Sequence, residues 1–146
     1  MLDDSFKRLW TAYSVWGFRL DLDQLLRDGE PVAINEAWRR GDYNPLGGGA
    51  LTAGLNMDVY AGHSENELHE AVSTFLTREA RLLQAVRAQA SNIDYAGLRT
   101  VVFVASAEEE PFGVELPPAL MKLLADAGIP WGVGLSVFAG KPPGQQ

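Results

Sequence analysis

Residues 64–90 restrict what this chain can fold into more than any other stretch. Ser64-Glu-Asn-Glu67 is a capping box, a serine followed three residues later by a glutamate. Behind it Leu68, Val72, Phe75, Leu76, Leu82, Leu83 and Val86 form an apolar stripe, and Ala71, Ala80, Ala85, Ala88 and Ala90 raise helix propensity. The pattern predicts one helix from about Glu65 to about Ala90, with room for a bend. A helix that long with one apolar face needs a second layer to bury it against.

Strand-like segments supply that layer. Tyr13 to Leu20 alternates, and the set Trp16, Phe18 and Leu20 is expected to face inward. Leu51 to Tyr60 alternates more strictly: Leu51, Ala53, Leu55, Met57 and Val59 share one side, Thr52, Asn56 and Asp58 the other. Leu98 to Ala105 contains Val101-Val-Phe-Val104, the continuous run of a strand covered on both faces. Trp131 to Ala139 gives a fourth strand. Before it, Pro117 and Pro118 open a helix whose Leu120, Met121, Leu123, Leu124 and Ala127 are expected inward. Gly128 and Pro130 stop that helix. A short helix around Leu22, Leu25 and Leu26, capped by Asp21 or Asp23, ends at Gly29. Between Glu30 and Gly49 prolines and Gly47-Gly48-Gly49 break long elements, leaving Ile34, Ala37 and Trp38 two helical turns at most. The expected fold is α+β: a four-stranded, mostly antiparallel sheet with one long and one or two shorter helices on one face.

At 146 residues the chain fits one domain, read as residues 1–140 followed by a flexible tail over 141–146. Without cysteine it has no disulfide, thiol nucleophile or thiolate metal site, which fits a reducing compartment. No apolar run reaches the ~18 residues of a membrane span, and Asp3 and Asp4 stand where a secretory leader carries positive charge. A cytoplasmic protein is expected. Twelve basic against nineteen acidic residues give a net charge of −7, which argues against nucleic acid as a partner.

Familiar catalytic patterns are missing. His63 and His69 are six apart, unlike the i, i+4 pair of zinc-binding helices. That leaves His63 either a solvated loop histidine or the acid–base partner of Asp58 in the turn between strand and helix. The glycine triplet leads into a strand instead of forming a phosphate loop. No serine lies in a GxSxG context. No metal and no cofactor are expected. Two segments retain functional potential. Glu108, Glu109, Glu110 and Glu115 form the most acidic stretch, either a solvated loop or a docking patch for a partner protein. Trp38-Arg39-Arg40-Gly41-Asp42, with Tyr43 and His63, offers an indole and two guanidiniums for a ligand. Alternatively Trp38 covers a sheet edge and the arginines meet Asp42 or Glu36.

Phe18-x-Leu20 leading into Leu25-Leu26, the Pro31 loop to Trp38-Arg39-Arg40-Gly41-Asp42, and Leu116-Pro117-Pro118-x-Leu120-x-x-Leu123 ending at Gly128 together resemble a family of small bacterial domains of unknown function. Some of its members are proposed immunity proteins beside toxin loci. The resemblance implies a partner protein, such as a toxin, and no catalytic residues. The leading expectation is a non-enzymatic interaction domain, of the immunity or inhibitor kind, binding through the acidic segment. The alternative is a small-ligand binder or enzyme using residues 36–49 and His63. A homodimer through a sheet edge or the long helix is compatible with the first.

Overall fold

The computed structural model describes residues 8–42, 49–104 and 114–137. Tyr43, Glu108, Glu109, Glu110 and the 141–146 tail lie outside them. In chain order the elements are β1 (Arg8–Gly17), α1 (Leu22–Gly29), β2 (Glu36–Trp38), β3 (Ala53–Gly62), α2 (Glu65–Arg78), α3 (Ala80–Ala88), β4 (Tyr95–Val104), α4 (Pro118–Ala127) and β5 (Trp131–Val137). The strands form one mixed sheet in the order β2-β3-β1-β4-β5. The first three pairings are antiparallel. The last, β4 with β5, is parallel, as the intervening α4 crossover requires.

The chain is thus α+β with one more strand than its periodicity suggests. Glu36-Ala37-Trp38, expected as a turn of helix, pairs antiparallel with Asn56, Leu55 and Gly54. Three residues carry no usable period, and the ready-made edge of β3 decides their conformation. β1 also begins earlier than expected, and its inward set is reversed. Leu9, Thr11, Tyr13 and Val15 are buried on the helix side, whereas Trp16 faces the other way and Phe18 is half exposed. A strand starting at Arg8 puts its longer unbroken apolar alternation, not its largest rings, against the helices.

The predicted long helix is two. Glu79 leaves helical geometry between α2 and α3, at φ −102° and ψ 26°. Its carboxylate is buried and accepts from the Val32 amide through both oxygens, at 2.7 and 3.1 Å. The break therefore holds the loop that leads into β2. At the start of α2 the Ser64 hydroxyl accepts from the Glu67 amide at 3.2 Å, the expected cap. The return half of the capping box passes through another residue: the Ser64 amide donates to the Tyr60 hydroxyl, which donates to Glu67.

The helices cover the sheet face that carries Leu9, Tyr13, Val15, Leu55, Met57, Leu98 and Val102. Tyr13 meets Phe75 of α2 with ring centroids 5.2 Å apart. Beneath this layer Trp131 donates to the Thr100 hydroxyl at 2.6 Å, and Thr100 shares a 2.7 Å bond with Thr11, which satisfies two fully buried hydroxyls. Leu120 and Leu124 of α4 are buried, but Met121 and Leu123, expected inward, are exposed. One helix laid on a sheet buries only part of its circumference. Val101-Val-Phe-Val104 is likewise covered on one side: Val102 and Val104 are buried, while Val101 and Phe103 on the other face remain half-buried.

A bulge interrupts the β1–β3 pairing between Thr11 and Ala12, where Thr11 opposes Tyr60 but Ala12 opposes Asp58. The extra residue, Val59, turns Tyr60 to the helix side, where its hydroxyl reaches the α2 cap. No helix among the described residues is long and apolar enough to cross a membrane.

Candidate functional site

Strand alternation and register together define the sheet face turned away from the helices. Cross-strand partners share a face, so the face can be read as rows running across the strands. One row is Trp38 on β2, Gly54 on β3, Trp16 on β1 and Tyr95 on β4. The next is Glu36, Asn56, Ser14 and Gly97; the one after is Asp58, Ala12, Arg99 and Gly132. Beyond them come Ala61, Trp10, Val101 and Gly134.

The first row is a wall of rings. Trp16 and Tyr95 stack with centroids 5.9 Å apart and planes 23° from parallel. Trp38 lies down over Gly54: a Cβ there would stand 2.6 Å from the indole, 2.7 Å from the Trp16 Cβ and 2.5 Å from the Val15 carbonyl oxygen. Glycine is what lets the indole settle onto the sheet. Trp38 then donates to the Thr52 hydroxyl at 3.2 Å. At the far end of β1, Trp10 donates to Asp58 at 3.2 Å. Six residues separate Trp10 from Trp16, so the two indoles arise ~20 Å apart along one strand. Between them the floor drops to Ala12 and Ser14.

A trough results, with a cavity of about 650 Å³ at the ring wall and a second of about 450 Å³ beside it. Ser14, Asn56 and Arg99 line both, which makes them one continuous depression. Its two banks differ chemically. On the β2–β3 side, Ser14 donates to Asn56 at 2.7 Å, and Asn56 donates to Glu36 at 3.1 Å. Asp58 accepts from Asn35 at 3.1 Å as well as from Trp10, and its own amide donates to Asn35 at 2.7 Å. Both carboxylates are held in place by amide and indole N–H groups and keep lone pairs for a further donor. On the β4 side stands Arg99, whose guanidinium has no ion pair or hydrogen bond among the described residues. Gly132 and Gly134 of β5 leave it space; a Cβ on Gly134 would stand 3.8 Å from the guanidinium. The face presents fixed acceptors on one bank and, on the other, a cation left uncommitted among the described residues.

The residues singled out from the sequence are dispersed. Trp38 lies in the trough. Arg39 leaves it to pair with Asp23 of α1 at 2.5 Å, which lowers the Asp23 pKa through that hydrogen bond and the guanidinium charge, and raises that of Arg39. Arg40 is exposed in the turn that follows β2. His63 stands beside Trp10 and Phe103 in a separate hollow of about 540 Å³, and Asp58, its suggested acid–base partner, is engaged by Trp10 and Asn35. Glu115 is exposed before α4, where its carbonyl oxygen meets the His69 ring at 2.6 Å, on the helix layer and away from the trough.

Trp10, Trp16, Tyr95, Arg99, Ser14 and Glu36 are site residues that the sequence reading missed; Asn56 was seen only as the polar side of a strand, and Asp58 as that or as a partner of His63. The missed signal was an alternation in which the solvent-facing set holds aromatic residues as well as polar ones. Among the described residues no group of three histidine, aspartate or glutamate side chains gathers as a metal site would need. Comparison of the chain with protein-family models, curated proteins and solved structures finds no match.

Proposed function

We propose that the protein is a non-enzymatic recognition domain whose uncovered sheet face is its binding surface. The observation that carries this reading is the row of Trp38, Trp16 and Tyr95 set over Gly54 beside Arg99, which is unpaired among the described residues; the three rings and Arg99 line one cavity. Ring faces turned to water sacrifice apolar burial that the helix side would supply, and a ligand restores it. A handful of fixed polar groups beside such rings sets orientation, as small binding sites require. The hydrogen bonds in the trough position side chains and activate none: amide and indole partners do not pass protons at neutral pH, and no nucleophile stands against a base among the described residues.

The test is a screen of small molecules, peptides and oligosaccharides against labelled protein, read by amide chemical shifts. Binders should perturb residues 12–16, 54–58 and 95–99 together. Trp38→Ala should weaken any such binder at least tenfold while leaving the thermal midpoint nearly unchanged. Shifts confined to the helix layer around Glu115 would instead favour docking through the acidic segment and remove the trough from consideration.

A further inference from the structure

We infer that the trough receives an extended segment of a partner protein that carries a basic side chain, then an aromatic one, then an acidic one, at alternate positions. The inference rests on the trough being the binding surface and names what fills it. From β2 to β4 is three inter-strand steps, ~14 Å. In an extended chain, side chains i, i+2 and i+4 point the same way and span ~13 Å. A segment laid across the strands therefore lowers three side chains onto the sheet at the spacing of its banks.

Charge sets the order. The β2–β3 bank holds Glu36 and Asp58, each with acceptor capacity left over, so a lysine or arginine belongs there. The β4 bank holds Arg99, the cation of the trough left unpaired among the described residues, so a carboxylate belongs there and can be met in bidentate fashion. Between them Ala12 and Ser14 leave a dip flanked by Trp10 and Trp16, deep enough for a ring and walled by rings. A polyanion fits poorly: it would set Arg99 against two fixed carboxylates and a net charge of −7. A neutral sugar chain would use the indoles but leave the guanidinium without a partner. A free amino acid is too short to reach both banks.

The experiment uses three N-acetylated, C-amidated pentapeptides, KGFGE, KGFGK and EGFGE, titrated into the full chain by amide chemical shifts. KGFGE should bind best, with a dissociation constant on the order of 0.1–1 mM for so few contacts, and should shift residues 12–16, 54–58 and 95–99. Arg99→Gln should weaken KGFGE about tenfold. Arg99→Glu should reverse the preference toward KGFGK, a gain that misfolding cannot imitate. Equal affinity for the three peptides, or no reversal in R99E, overturns the inference. Maltohexaose or a thymidine hexanucleotide, shifting the same residues when the peptides do not, would overturn it and leave the trough as the binding surface. If none of these probes, nor the broader screen, moves those residues, both readings fall.

Discussion

Single side chains in this protein have separable duties. Tyr13 is a core residue with a phenol: burial, and to a lesser degree the charge of Tyr95, push its pKa above the ordinary 10.0. A raised acid keeps its proton in the fold and loses it more readily when unfolded. Stability is therefore complete below pH ~10 and falls above it by up to ~1.4 kcal/mol per pH unit. Tyr13→Phe should flatten that alkaline decline in urea titrations at pH 9 to 11, with Tyr60, also raised chiefly by burial, contributing in the same direction. On α4, neighbouring leucines should behave differently. Leu124→Ala should cost ~2–5 kcal/mol because the side chain is 4% exposed, whereas Leu123→Ala, at 48%, should cost less than ~0.5 kcal/mol. Gly54→Ala should lift Trp38 from the sheet, seen as a red-shifted indole emission and lost ligand binding.

At the level of elements, legibility followed the strength of the periodic signal. The Ser64 cap, the inward Ala53, Leu55, Met57 and Val59, and α4 between its prolines and Gly128 stand where the sequence places them, whereas Leu51, expected to lead that inward set, falls before β3 and is 71% exposed. Gly128 adopts φ 69° as a helix terminator should. Elements fixed by tertiary contacts were not legible. β2 exists because β3 offers it hydrogen bonds, and nothing in Glu36-Ala37-Trp38 announces a strand. The α2–α3 break depends on Glu79 finding the Val32 amide, 47 residues earlier in the chain. The trough was missed for a related reason: its residues come from four strands and converge only through register. Glu79→Ala should remove the charged acceptor of the Val32 amide, costing ~1–3 kcal/mol. It should also raise hydrogen exchange across residues 31–38 more than elsewhere, because that carboxylate ties the approach to β2.

For the whole molecule, the sheet divides labour between its faces. The helix side holds the apolar core, and the open side holds the rings and charges of the trough. Arg99→Gln and Trp10→Ala should therefore abolish or weaken binding with stability changes within ~1 kcal/mol, measured by chemical denaturation, whereas Leu98→Ala one residue away should cost ~2–5 kcal/mol. One irregularity interrupts the ladder behind this division, at Val59. β1 and β3 run out of phase by a single residue past Asp58, and that offset is what delivers the Tyr60 phenol to the first turn of α2. Deleting Val59 would restore a regular ladder with Tyr60 next to Asp58, still opposite Thr11 and still on the helix side. That one-residue loss would cost the packing of Val59 against the core and spare the groove, whereas the same loss at a regular position of the strand would turn every later side chain to the opposite face.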